Sequence, residues 1–217
     1  MLADFVRTDL DAEGVGDLLT MAGFELEGVE GDVLDIKVTS NRGDGLSVIG
    51  LAREVLAKDP TSSPTEAYRR ASGGYADVAL GSAPGPKVTV ESENCRRFTA
   101  VRIDGIRPAP SPAWLVERLE KAGMRSLGLV VDLTNYVMLE LGAPTHAFDL
   151  DRLSGGEIVV REARAGERIA TLDGGEHGSI DGFTMVCDAQ RPVSVAGIMG
   201  GVDSEVTDAT TTLLLEA

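Results

Sequence analysis

Apolar positions in the first part of the chain follow two periods. Val15, Leu18, Leu19 and Ala22 recur at the spacing of one helical face, with Asp9 or Asp11 placed to cap the helix and Gly23 to end it. Phe5 and Val6, ahead of them, read as a strand-like start. After the Gly31-Asp32 turn, Leu34, Ile36 and Val38 alternate with polar residues, the period of a strand with one buried face. A polar loop from Thr39 to Gly45 leads to a second helix, Leu46 to Ala57, with Val48, Ile49, Ala52, Val55 and Leu56 to bury. The pattern predicts a small helix-strand-helix domain over residues 1–59.

Residues 60–86 lose this periodicity. Pro60, Pro64, Gly73, Gly74, Gly81, Pro84, Gly85 and Pro86 mark a linker, within which Thr65 to Ala71 can form a turn or two of helix. From Lys87 strand alternation returns at Val88-Thr89-Val90 and from Phe98 to Ile103. Ser111-Pro112 supplies a cap and a first-turn proline for a helix whose apolar face is Trp114, Leu115, Val116 and Leu119, with Trp114 expected as a core anchor. Glu157 to Ala163, Ile169 to Leu172, Met185 to Cys187 and Pro192 to Ala196 read as further strands. Asp173-Gly174-Gly175-Glu176 fits a tight hairpin, leaving His177 exposed and structural. The glycine-rich turn Ala196 to Gly201 lets something approach its backbone closely: a ligand carbonyl or another strand. The fold class predicted is α+β: the small N-terminal domain, then a larger mixed domain over residues 87–217.

Composition narrows the function classes. The chain is 43% hydrophobic and 25% charged, as in ordinary globular proteins. Its 35 acidic against 20 basic residues give a net charge of −15, which opposes broad binding to a phosphate backbone. Cys95 and Cys187 stand far apart with no His/Cys cluster, so neither a disulfide framework nor a zinc site is indicated. No apolar run has the length of a membrane span and the first residues lack the pattern of a signal peptide, so the expected location is cytoplasmic, with no membrane partner. The glycine turn lacks the Lys-Ser/Thr ending of a phosphate loop, and no G-x-S-x-G elbow occurs.

The densest chemistry lies between Val130 and Arg152. Val130, Val131 and Leu133 read as the buried end of a strand, with Asp132 or Thr134 capping a helix that buries Tyr136, Val137, Leu139 and Leu141. Gly142 suits the position after that helix, and Pro144 stops it from resuming. On this reading Thr134 and Asn135 sit at a strand-to-helix junction beside free backbone N–H groups, and His146 returns on the next segment. Such junctions often hold ligands. A cap, a turn residue and a structural histidine would account for the same three residues.

The run V-V-D-L-T-N-Y-V-M-L-E-L-G-A-P-T-H-A-F-D-L resembles the signature of the bacterial phenylalanyl-tRNA synthetase beta subunit, in its editing domain. The segment Val38-Thr39-Ser40-Asn41-Arg42-Gly43-Asp44-Gly45-Leu46-Ser47, continuing through Gly50, Ala52, Arg53 and Glu54, is similar to the first domain of the same family. Asn41, Arg42 and Asp44 within it are read as a local brace of hydrogen bonds, and the Arg42-Gly43-Asp44 tripeptide not as an integrin ligand. The resemblance covers residues 1–57 and about 87–217. Bacterial relatives insert an oligonucleotide-binding barrel where Glu30-Gly31-Asp32 here passes straight across.

That resemblance implies hydrolytic editing of tyrosyl-tRNA(Phe). It implies His146, Thr134 and Asn135 as the catalytic set that holds the ester end and orders a water. Glu216 and Gly197 are the implied substrate-binding residues, Glu216 accepting the phenolic hydroxyl. It further implies an alpha-subunit partner in a heterotetramer, weak contact with the acceptor end of tRNA(Phe), and a domain that continues in relatives beyond the position of Glu216. No cofactor is expected in this chain, since ATP and magnesium serve the assembled synthetase. The competing readings are a non-catalytic assembly or binding fragment and a tyrosine- or peptide-binding domain. The three leucines before Glu216 predict a buried strand, in which a carboxylate needs a partner.

Overall fold

A computed structural model describes residues 1–75, 78–79, 81–107, 109–178 and 180–217. Residues 76, 77 and 80 of the linker stretch lie outside that set. The chain is α+β and divides into two compact units, each continued by later segments. The first comprises residues 1–81, 113–126 and 135–144, the second residues 82–112, 127–134 and 145–217.

The first unit opens with α1 (Leu2–Phe5), β1 (Val6–Arg7) and α2 (Ala12–Met21), followed by β2 (Glu25–Glu30), β3 (Val33–Lys37) and α3 (Val48–Lys58). Then come β4 (Ser63–Pro64), paired with β1, and α4 (Glu66–Ser72). Phe5 thus ends a short helix where a strand is expected, and β2 is absent from the sequence-based prediction altogether. Glu25, Glu27, Gly28 and Glu30 are poor strand formers; β2 exists because β3 pairs with it across the Gly31-Asp32 turn. Lys37 also reaches Glu25 at 3.0 Å and Glu27 at 3.5 Å, partly offsetting the repulsion of that acidic strand.

The core of this unit is Phe5, Val6, Val15, Leu19, Phe24, Ala52 and Val55, the last four helical positions being those the periodicity marks. Asp11 caps α2 by accepting the Gly14 N–H at 2.9 Å. The Arg42 brace is present: its guanidinium donates to both carboxylate oxygens of Asp44, at 3.1 and 3.0 Å, and to Glu54 at 2.6 Å, and lies 4.5 Å over the Phe24 ring. Ser47 caps α3. Gly50, one turn in, has no room for a side chain: a Cβ would stand 1.7 Å from the Asp44 carbonyl oxygen. Because backbone cannot swing aside as a flexible side chain can, Gly50→Ala should destabilise this unit by about 3 kcal/mol, read as a lowered denaturation midpoint. A midpoint equal to wild type would show that the 3-10 turn Gly43–Leu46 yields freely.

Helix α5 (Ala113–Lys121) buries Leu115 and Leu119, one turn apart. Trp114 is 50% exposed, against its expected role as a core anchor. It lies about 100° around the helix from Leu115, and its ring meets Tyr136 edge-on at 5.5 Å. Helix α6 (Leu129–Leu141) runs from the second unit's residues into the first's and ends at Gly142, whose φ of 74° makes the left-handed stop that the sequence predicts.

The second unit is two packed sheets. Its strands are β5 (Lys87–Val90), β6 (Ala100–Asp104), β7 (His146–Asp149), β8 (Glu157–Glu162), β9 (Ile169–Ala170), β10 (Glu176–His177), β11 (Thr184–Cys187), β12 (Pro192–Val195), β13 (Met199–Gly200) and β14 (Thr212–Glu216). One sheet has the order β13-β12-β11-β8-β5, antiparallel except for the parallel β5–β8 pair; the other is β6-β14-β7, wholly antiparallel. Strands β9 and β10 form a hairpin. Phe148 and Leu214 of the smaller sheet close on Ile158, Val160, Val186 and Val193 of the larger, a layer of apolar side chains between two sheets.

Candidate functional site

The site is built on the register of the three-stranded sheet. In β7 and β14, Phe148 stands opposite Leu214 and His146 opposite Glu216. Side chains in a strand alternate faces, so these four share the face that closes the sandwich core. Phe148 and Leu214 fill the interior, while His146 and Glu216 fall at its end, where β7 begins and β14 finishes. On the other side of Glu216 the register partner is Ala100, the first residue of β6, which leaves the carboxylate a neighbour without bulk.

The His146 ring is held by two surfaces. It meets Phe148 edge-on, with centroids 4.6 Å apart and planes at 77°. Its other neighbour is Gly200 in β13: a Cβ there would stand 2.5 Å from His146 Cε1 and 2.7 Å from Nε2. The close approach foreseen at the glycine-rich turn is therefore the histidine itself, and Gly200 is a site residue that sequence reasoning passed over. The signal was available in the run Ile198-Met199-Gly200-Gly201, but nothing in one dimension distinguishes its glycines from one another. Gly197 sits in the turn between β12 and β13, exposed, with φ 69° and open space where a Cβ would be. There its left-handed backbone makes the turn closed by the Ile198 N–H to the Val195 carbonyl, at 3.0 Å.

Burial sets the protonation of both groups. Glu216 Oε2 is shut off from solvent and has no hydrogen-bond partner among the described residues, and desolvation pushes its carboxyl up to about 7. The partner that the sequence demands for it is not supplied within these residues. Desolvation likewise holds His146 below the usual histidine range, so at neutral pH the ring is uncharged. The arrangement is a neutral imidazole in register with a carboxyl poised between its two states, one oxygen of which has no partner among the described residues. Buried titratable groups with perturbed protonation cluster at functional sites.

Thr134 and Asn135 are placed differently from expectation. The Val130-Val131-Asp132-Leu133 segment is not a strand: it forms the first turns of α6, so both residues lie inside a helix and their N–H groups are not orphan donors. Two β-branched residues invite a strand reading, but Asp132 overrides it. Its buried carboxylate accepts the Leu127 N–H at 2.8 Å and the Ser111 hydroxyl, anchoring the chain that enters the helix. The Thr134 hydroxyl donates to the Val131 carbonyl at 2.7 Å, which leaves only its lone pairs for anything else. Thr134 belongs with His146 and Glu216 to the second unit; Asn135, half-buried, belongs to the first.

A separate cleft of about 260 Å³ in the second unit is lined by Arg168, Glu176, His177, Arg191 and Asp203 over a floor including Val193 and Gly201. It includes neither His146 nor Glu216. His177 is exposed there, with a ring nitrogen 3.1 Å from the Thr171 hydroxyl. Among the described residues no group of three or more His, Cys, Asp or Glu side chains is placed to hold a metal ion. Nor, among them, is any helix long and apolar enough to cross a membrane.

The B3/4 domain family matches residues 94–217, the stretch that contains the two packed sheets from β6 onward. Curated relatives are phenylalanine-tRNA ligase beta subunits. That of Geobacter metallireducens is 46% identical over 194 residues, covering 89% of this chain and 24% of the relative. That of Anaeromyxobacter dehalogenans is 46% identical over 188 residues, covering 85% and 23%. That of Rhodopirellula baltica is 40% identical over 223 residues, covering 100% and 32%. The chain thus spans 23% to 32% of the length of these relatives. Among solved structures, an N-terminal fragment of the phenylalanyl-tRNA synthetase beta-subunit from Pyrococcus horikoshii aligns with a TM-score of 0.43 at 17% identity, covering 95% of this chain and 62% of that one.

Proposed function

From the premise that this chain belongs to the B3/4 domain family, as part of a phenylalanine-tRNA ligase beta subunit, we propose that its second unit is an editing module. It would hydrolyse the tyrosyl ester of mischarged tRNA(Phe). The observation that supports this most directly is the buried Oε2 of Glu216, which has no partner among the described residues.

A tyrosyl side chain differs from a phenylalanyl one by a single hydroxyl, a difference that an apolar synthetic pocket rejects only modestly. Editing needs the opposite selectivity, a site that is poor without the hydroxyl. Glu216 has that property: a phenolic O–H donated to Oε2 satisfies the buried oxygen, whereas a phenylalanyl ring leaves it desolvated and unpaired. The difference is worth about 1–3 kcal/mol. His146 then offers an uncharged ring nitrogen at the same end of the sheet, and Gly200 and Phe148 fix its plane. Thr134 contributes acceptor capacity. Attack by a positioned water on the ester carbon, expelling the ribose oxygen, completes the reaction without a covalent enzyme intermediate. Activation of phenylalanine with ATP and magnesium would belong to the alpha subunit of an assembled cytoplasmic heterotetramer.

The test is deacylation of tyrosyl-tRNA(Phe) and phenylalanyl-tRNA(Phe), alone and with an alpha subunit. Selective loss of the tyrosyl ester is expected, and Glu216→Ala should lower the tyrosyl-to-phenylalanyl ratio about 10- to 100-fold. Selectivity should rise as pH increases through about 7, because only the ionised Glu216 is a pure acceptor. A folded chain that releases neither ester under both conditions would leave the family's fold without its turnover, and the editing reading would be abandoned.

A further inference from the structure

An ester at the end of a nucleic-acid strand brings phosphates to the pocket, and a chain of net charge −15 must find a local means of tolerating them. At the end of the small sheet where His146 and Glu216 stand, the flanking segment is Cys95-Arg96-Arg97-Phe98-Thr99. Hydrogen bonds to the end of β14 hold it in place. Thr99 and Ala217 exchange backbone hydrogen bonds in both directions, at 2.9 and 3.0 Å, and the Thr99 hydroxyl adds a third to the Ala217 carbonyl at 2.9 Å. These bonds continue the register that sets Ala100 opposite Glu216. Phe98 and Cys95 pack against the same apolar layer as Phe148 and Leu214, and the Cys95 thiol reaches the Arg97 carbonyl at 3.5 Å.

Anchored in this way on both sides, Arg96 and Arg97 are exposed and form no ion pair with any described residue. The neighbouring Glu91 and Glu93 do not pair with them either. By contrast, Arg102, Arg161 and Arg191 of the same unit each hold a carboxylate, at 2.8 Å for Arg102 and 2.7 Å for Arg161. Facing the same apolar layer is Ala196, which leads into the β12–β13 turn, where Ile198 is 65% exposed. Two adjacent free guanidiniums and an exposed apolar side chain therefore flank the end of the sandwich that holds the pocket.

We propose that Arg96 and Arg97 form a phosphate-binding lip for the single-stranded 3′ end of an RNA, with Ile198 offering an apolar surface to a terminal base. The identity of the strand rests on the editing reading. Guanidinium forks match phosphate oxygens in pairs, and a lip three and four residues along the chain from Ala100, the register partner of Glu216, is within about two nucleotides of the esterified end. The lip also reconciles nucleic-acid contact with an acidic surface: only the terminal nucleotides touch the protein.

The experiment is fluorescence anisotropy of a labelled single-stranded RNA ending in CCA, titrated with the whole chain at several salt concentrations. Arg96→Glu/Arg97→Glu is expected to weaken binding at least tenfold and to flatten the salt dependence by about 1.4 in log–log slope, two contacts at about 0.7 each. Arg96→Gln/Arg97→Gln should fall between, and Arg164→Glu/Arg168→Glu, with the same change in net charge on another surface, should change little. Equal weakening by both charge reversals, an unchanged affinity at the lip, or no binding by the wild type would each overturn the proposal. Hydrolysis does not enter the readout. A chain that fails to deacylate yet loses RNA only through Arg96 and Arg97 keeps the lip and rejects editing, and the reverse pattern rejects the lip alone.

Discussion

Replacing Glu216 by methionine should stabilise the second unit by about 3 kcal/mol at pH 8.5, and by far less at pH 4.5. The carboxyl is raised from 4.5 to about 7 by desolvation alone. Below pH 4.5 both the folded and unfolded chains hold the proton, and ionisation costs the fold nothing. Between 4.5 and 7 the unfolded chain releases it while the folded chain retains it, so wild-type stability falls as pH rises. Above 7 the penalty is complete, and a carboxyl held up to about 7 corresponds to about 3 kcal/mol. Methionine has a similar length and no charge to desolvate. Urea unfolding of both proteins at pH 4.5, 6, 7.5 and 8.5 measures the difference, and a gap that stays constant with pH would mean that Glu216 is satisfied in the folded chain after all. The same variant should lose tyrosyl selectivity, since a group kept at a cost in stability is one whose removal costs function.

The opposite outcome is expected at Glu167. Arg161 in β8 is only 6% exposed, and its two terminal nitrogens donate to the two Glu167 oxygens at 2.8 and 2.7 Å. This fork is the largest influence on both partners, holding the Glu167 carboxyl below its usual range and Arg161 above its own. It also stands near the Cys187 thiol, which burial pushes up to about 11 and so keeps protonated. Glu167→Ala would leave a buried guanidinium with the Glu162 carbonyl, at 3.1 Å, as its remaining acceptor. A loss of about 3–5 kcal/mol is expected, because the desolvation of Arg161 is no longer compensated. Removing both charges together, Arg161→Met with Glu167→Leu, should recover most of that loss. If the single variant unfolds at the wild-type midpoint, Arg161 has found water and the pair is not a structural lock. The wild-type contribution is present above the unfolded carboxyl's range and lost as pH falls through the depressed value, the reverse of the Glu216 profile.

Several elements could be read directly from the chain. Helices α2, α3 and α5, the Asp11 cap and the Gly142 stop follow from periodicity and turn chemistry over a few residues, and strands β8, β11, β12 and β14 from alternation or apolar runs, although β8 and β14 find their pairing partners far away in sequence. The Arg42 brace was legible for the same reason: its main carboxylate partner is two residues away. Strand β2 was not, because its residues disfavour strands and only pairing with β3 holds it extended. Trp114 misled because side-chain size suggests burial, whereas the buried stripe of α5 belongs to Leu115 and Leu119. Val130 to Leu133 misled because β-branching is a weak preference, and a buried Asp132 taking bonds from Leu127 and Ser111 outweighs it.

By itself the sequence determined the α+β class, the family resemblance through the V-V-D-L-T-N-Y run, and the demand that a carboxylate following three leucines be paired. Tertiary structure alone decided that His146 stands in register with Glu216, that Gly200 and not Gly197 makes room for its ring, and that Glu216 Oε2 is left without a partner among the described residues. The physical reason is range. Helix periods, caps and turns are set by interactions over a few residues, whereas the state of Glu216 depends on a register fixed 70 residues away in sequence, between Glu216 and His146. It depends too on burial in the folded unit, which no local pattern records.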